Sequence, residues 1–156
     1  MAVRGMCLVP TERDFSSHDA MIDLADIAPS FSFVTGKDLV PSAGDYMPDH
    51  FGNAVLVMVG SSFSLRFKRD RGQVFVDAGS DAAGWQKLEY VLEFVDGTAT
   101  QKRLGEPPNL AAMAKVLALN WDKVASLFSD QERSSELQEF AQQKSAAMLG
   151  RLFPEL

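Results

Sequence analysis

One cysteine and two histidines are all that a chain of 156 residues offers of the usual soft metal ligands and imidazole bases. With Cys7 alone, no intramolecular disulfide can form, which fits a reducing compartment, and no Cys-rich metal site can be assembled. His18 and His50 stand in none of the H-x-x-x-H or H-E-x-x-H spacings that set two imidazoles on one helix face for zinc. Long apolar runs are missing as well. The longest, 54–59, falls far short of the ~20 residues a membrane span requires. Residues 1–10 hold a single Arg and too short an apolar run for a secretory leader. The expected location is cytoplasmic, with no metal, no cofactor and no membrane partner.

Nucleotide and nucleophile motifs are absent too. Thr35-Gly36-Lys37 ends like a P-loop, but Phe31 stands where the first glycine belongs and Asp38 where Ser or Thr belongs. Gly60-Ser61-Ser62-Phe63-Ser64 lacks the closing glycine of a G-x-S-x-G elbow. A Cys7 thiol with His18 or His50 as base is the one nucleophile pair composition allows. An isolated thiol near a terminus behaves more often as a small hydrophobe.

What is present is an ordinary globular composition. Hydrophobic residues make up 46% and charged residues 23%, with 11 Phe to build the core. A chain of this length buries roughly 70% of the surface its unfolded form exposes, so it folds without a staple. The net charge of −6 is uneven. Residues 1–61 carry three basic and eight acidic side chains, whereas 62–83 carry four basic and three acidic. An acidic front repels phosphate backbones and attracts basic surfaces, which disfavours nucleic acid as a partner.

Along the chain, Ser16 with Asp19 forms a capping box, and Met21, Leu24, Ala25 and Ala28 follow at helical spacing, so a helix is predicted over 16–28, stopped by Pro29. Phe31 and Phe33 alternate with serines and predict a short strand at 30–34. Five Gly and Pro residues make 35–52 a long loop or a poorly paired strand. Three strands follow in 53–79. Residues 53–59 are continuously apolar, Phe63, Leu65 and Phe67 alternate with polar residues, and Val74, Val76 and Ala78 do the same. Short turns at 60–62 and 70–72 make them an antiparallel meander. A helix is predicted over 82–96, with Trp85, Leu88, Val91, Leu92 and Val95 on one face. Pro107 and Pro108 precede or open a helical hairpin over 107–153, whose second arm restarts at a Ser129/Glu132 capping box. The expected fold is one α+β domain, an antiparallel sheet of three or four strands packed by helices.

Three side-chain groups are candidates for function. Asp19, Asp23 and Asp26 fall at i, i+4 and i+7, one face of the first predicted helix. Like charges at that spacing repel by a few tenths of a kcal/mol, so helix stability does not explain the stripe. Helix-dipole stabilisation accounts for Asp19 but poorly for Asp26. Arg66 and Lys68 project from the polar face of a strand, with Arg69, Asp70 and Arg71 in the following turn. They form an anion-binding patch or a solvated face with local ion pairs. Phe63, Phe67, Trp85, Phe94 and Trp121 are most simply core.

The run Phe63-Ser-Leu-Arg-Phe-Lys-Arg-Asp-Arg-Gly-Gln-Val-Phe-Val-Asp77, followed by Trp85-Gln-Lys-Leu-Glu-Tyr-Val-Leu-Glu-Phe94, resembles a group of small, mostly uncharacterised bacterial proteins. They share a strand, an Arg-Asp-Arg-Gly turn, a second strand and a Trp-bearing helix, and are similar to immunity proteins, which neutralise a cognate toxin by binding it. The resemblance covers roughly residues 50–95 and carries over no catalytic residue. It implies a non-catalytic protein whose acidic surface, with Asp19, Asp23 and Asp26, occludes a basic toxin domain. The contrasting expectations are an adaptor that dimerises through its C-terminal helices, and an enzyme built around Cys7 or His50.

Overall fold

A computed structural model describes residues 22–47 and 52–155. The expectations resting on Ser16, Asp19, Cys7, His18 and His50 lie outside the described residues. The fold is α+β.

Asp23 caps the first described helix, α1 (Leu24–Ile27), by accepting a hydrogen bond from the Ala25 N–H at 3.3 Å. Its own backbone is extended. The predicted helix over 16–28 therefore does not run through Asp23, since a capping residue cannot also be an interior one. A 3-10 helix, Pro29–Gly36, replaces the strand predicted at 30–34. Ser32 Oγ donates to the Pro29 carbonyl at 2.7 Å, and Thr35 Oγ donates to the Ser32 carbonyl at 2.8 Å. A three-residue turn brings Phe31 and Val34 to one side, where both are fully buried.

Five strands form one antiparallel sheet in chain order: β1 (Val40–Met47), β2 (Asn53–Val59), β3 (Ser64–Asp70), β4 (Gln73–Ser80) and β5 (Gly84–Lys87). The three- or four-strand expectation is short at both edges. At one edge, β1 pairs with β2 despite Pro41, because a bulge between Pro41 and Ala43 falls on an outer strand that can spare a donor. At the other, β5 pairs with β4 after a tight turn in which Gly84 adopts φ +66°. The helix predicted over 82–96 thus begins only at Leu88, and Trp85 lies on a strand. The continuous apolar run of β2 alternates in burial: Ala54, Leu56 and Met58 face the core, while Val55 and Val57 are half-buried on the opposite face.

The helices lie on one side of the sheet. They are α2 (Leu88–Asp96), α3 (Thr100–Leu104), α4 (Leu110–Leu119), α5 (Trp121–Ser129) and α6 (Gln131–Leu152). The predicted hairpin over 107–153 is a three-helix run instead. Its first arm breaks at Asn120, whose buried amide donates to the Val116 carbonyl at 2.9 Å. Asn109 caps α4, placing Pro107 and Pro108 before the helix. Asp130, not Ser129, caps α6, accepting from the N–H groups of Glu132 and Arg133. Helices α2, α5 and α6 pack together, and α2 and α6 reach the sheet at β5. Gln138 of α6 donates to the Ala83 carbonyl at 2.8 Å, tying that helix to the β4–β5 turn.

Leu56, Met58, Leu65, Phe67, Leu88, Leu92, Leu117, Leu127 and Leu137 are fully buried between the layers. Each such side chain contributes about 1.5–3 kcal/mol relative to an exposed one. Phe63 meets Trp121 at 5.0 Å and Phe128 at 5.5 Å, and Phe67 meets Phe31 edge-on at 5.2 Å. Phe63, Phe67 and Trp121 are core as expected; Phe94 is half-buried and Trp85 is exposed.

Candidate functional site

Strand register builds the face of the sheet turned away from the helices. Val57 stands opposite Arg66, Arg66 opposite Asp77, and Asp77 opposite Lys87, one row across four strands. The row beside it, toward the β2–β3 turn, is Val59, Ser64, Gly79 and Trp85. On the other side lie Val55, Lys68 and Phe75. Among the described residues no helix covers this face. Phe75 is 47% exposed and Trp85 39%, and Val40 and Val59 are exposed at its β1 side.

Asp77 is the centre of the face, with only 6% of its surface accessible. Two cations converge on its Oδ2. Arg66 donates through Nε at 3.0 Å and through Nη2 at 2.7 Å, and Lys68 Nζ lies 3.0 Å away. The guanidinium carbon of Arg66 sits 4.5 Å from the Trp85 ring centroid. Arg66 is therefore held by a carboxylate at its edge and an indole on its face, a geometry that a planar cation allows and an ammonium does not. Gly79 permits this. A Cβ there would lie 2.8 Å from Trp85 Cε3, so only glycine lets the indole lie across β4.

Of the predicted site residues, Arg66 and Lys68 are brought together on Asp77. Arg71 stands apart in the β3–β4 turn at φ +52°, its N–H donating to Asn53 Oδ1 at 3.0 Å. Asp23 and Asp26 are exposed within one turn of α1, Asp23 as the cap and Asp26 inside the helix, so they do not share the interior helix face that the i, i+4, i+7 spacing implied. Asp19 lies outside the described residues. Sequence reasoning missed Asp77 and Lys87 and assigned Trp85 to the core. The one signal that pointed toward Asp77 was its place on the alternation of β4, opposite the basic strand.

A second feature lies where α2, α3 and α6 meet: a half-open cavity of about 410 Å³. Glu93 of α2, 5% exposed, lines its floor. Lys144 of α6 reaches Glu93 Oε1 at 2.6 Å, and Gln101 of α3 donates to Oε2 at 3.3 Å. Glu89, one turn earlier on the same helix, also lines the cavity, and burial pushes its carboxyl above the ordinary glutamate range. Met148 and Leu152 form an apolar rim. Elsewhere, the Ser61 hydroxyl and N–H both donate to Asp38, which holds that exposed carboxyl below its usual range and closes the β2–β3 turn onto the start of β1.

No group of three or more His, Cys, Asp or Glu among the described residues could hold a metal ion, and no described helix is long and apolar enough to cross a membrane. No family model matches the chain, and neither a curated protein nor a solved structure is significantly similar to it.

Proposed function

We propose that this chain is a non-catalytic binding protein of the immunity type, which docks a protein partner on the open face of its sheet. The observation behind the reading is the Trp85–Arg66–Asp77 cluster, flanked by exposed Phe75, Val59 and Val40. Tryptophan and arginine are the residue types most enriched at binding hot spots, and an ordered pair loses little side-chain entropy on docking. The cluster offers fixed donors and flat apolar area, which suits recognition. It falls within the segment that resembles immunity proteins, and a toxin is the partner that likeness implies.

The charge of the face sets the chemistry of the contact. Arg66 and Lys68 share one carboxylate and leave the cluster net positive, so the complementary surface is apolar with carboxylates at its rim. This differs in sign from the basic surface that the aspartates led us to expect. Co-expression with a toxin encoded beside the gene tests the reading: the wild-type chain restores growth and Trp85→Ala does not. Failure of the wild type to protect sinks the immunity role. Protection by Trp85→Ala moves the interface elsewhere.

A second reading rests on α6. Buried positions on that helix end at Ala141, and its last turns present Met148, Leu149, Leu152 and Phe153 to solvent. Scattered exposed apolar residues are ordinary, but a contiguous group at a helix end favours self-association. Light scattering across concentrations tests it: a dimer supports the adaptor reading, and a monomer throughout removes it.

A further inference from the structure

We infer that the cavity between α2, α3 and α6 is a binding site for an amphipathic cation, an ammonium or guanidinium carried on an apolar stem. The cavity adjoins the open sheet face at Lys87, which lines the one and stands opposite Asp77 in the other, but the inference rests on Glu89 and Glu93 and does not depend on that face binding a protein.

The molecule already contains an example of the proposed ligand. Lys144 crosses from α6 with its four-carbon stem and seats its ammonium on the buried Glu93 carboxylate at 2.6 Å. Glu89 stands at i−4 from Glu93, on the same face of α2, and lines the same cavity. No described cation makes an ion pair with it. Lys87 attracts it only at longer range, with its ammonium 5.4 Å from the Tyr90 ring centroid. Of the three carboxylates that line the cavity, Glu93 is matched by an internal ammonium, whereas Glu89 and Glu106 make no ion pair among the described residues.

The balance of burial selects a cation over an anion. Of the shielded charged groups in the cavity, Glu93 is almost inaccessible and already paired with the half-buried Lys144, and Glu89 is shielded enough for its proton affinity to rise. Arg151 and Lys87 are exposed and remain hydrated. A carboxylate taken partly out of water gains most from a counter-ion, because its lost hydration is what the ligand restores. Met148 and Leu152 at the rim give the stem apolar surface. The volume lies within the range of sites that bury small ligands or a single inserted side chain.

This chemistry occurs in free amines and in Lys or Arg side chains of a protein. Two-dimensional NMR of the whole chain distinguishes them, with pentylamine and spermidine in one arm and blocked lysine and arginine amides in the other. Hexanoate serves as the anionic control. The amines should shift the amides of Glu89, Tyr90 and Gly105 in a saturable manner, and hexanoate should not. Glu89→Gln should weaken binding about tenfold, and Glu106→Gln, across the cavity, covers the case in which the first variant folds poorly. Tighter binding of the free amines assigns a small-molecule ligand, and tighter binding of the blocked amino acids assigns a protein side chain. Preferential binding of hexanoate, absence of saturable shifts, or undiminished amine binding in both variants overturns the inference.

Discussion

Arg66 and Asp77 face each other directly across β3 and β4, and two nitrogens of the guanidinium converge on one carboxylate oxygen. With Asp77 nearly inaccessible and Lys68 on the same oxygen, one carboxylate is shared by two neighbouring cations and the cluster keeps a net positive charge. Asp77→Ala leaves Arg66 and Lys68 side by side without their anion. Urea unfolding should show a loss of about 2 kcal/mol. A double-mutant cycle with Arg66→Ala should return a coupling energy outside error. Additive effects would mean that the pair contributes no specific interaction.

Gly79→Ala tests whether the indole needs bare backbone beneath it. The new Cβ meets Trp85 Cε3 at 2.8 Å and the Gly84 carbonyl at 2.6 Å. Trp85 should lift off β4 and release Arg66, at an overpacking cost of about 1–3 kcal/mol. In a Trp121→Phe background, emission from Trp85 should shift to longer wavelength. Unchanged emission and stability would show that the ring has room to move.

Trp85→Ala should separate binding from folding. The side chain is 39% exposed, so unfolding free energy should fall less than for a core aromatic. Partner affinity should fall by about 2 kcal/mol, roughly 30-fold. Charge reversal of Asp23 and Asp26 provides the contrast. If the acidic pair forms the contact instead, that double variant slows association and flattens its salt dependence, and Trp85→Ala leaves affinity unchanged.

Glu89 makes stability depend on pH in a set direction. Its carboxyl is pushed up by burial, so the folded chain holds that proton more tightly than the unfolded chain does. As pH rises from the ordinary glutamate range through the raised value, the protein loses the stability that the proton confers. Glu89→Gln removes this loss. The variant should melt higher than wild type at neutral pH, with the difference closing on acidification below the usual glutamate range. A variant that melts lower at neutral pH would show that the charged carboxylate is compensated.

Helix α6 should divide into two energetic halves. Leu137→Ala opens a cavity in the core and should cost about 2–5 kcal/mol. Leu149→Ala, on the exposed end, should stay within about 0.5 kcal/mol for the monomer. If the chain self-associates through that end, Leu152→Glu should shift it to monomer in light scattering without changing its circular dichroism.

Much of the architecture was legible from periodicity. The alternation in β3 and β4, and the apolar stripes from Leu88 and Leu110, follow directly from one-sided burial. Legibility failed where two periods give the same pattern. Phe31 and Phe33 alternate like a strand, yet the hydroxyls of Ser32 and Thr35 bond back to carbonyls and hold a 3-10 turn. Trp85 lies three residues before Leu88, a helical spacing that the pairing of β5 with β4 overrides. Pro41 argued against a strand in a segment that becomes an edge, where its missing donor costs little.

Composition and local pattern determined the class: an α+β chain with an alternating basic strand, an aromatic core and no cysteine pair for a disulfide. Only the tertiary structure decided what the charges do. Register set Arg66 on Asp77, a glycine laid Trp85 over Arg66, and helix packing enclosed Glu89 and Glu93 in one cavity. A sequence specifies which side chains alternate along an element. Which elements become neighbours depends on long-range packing, and it is there that a charge acquires its partner or is left without one.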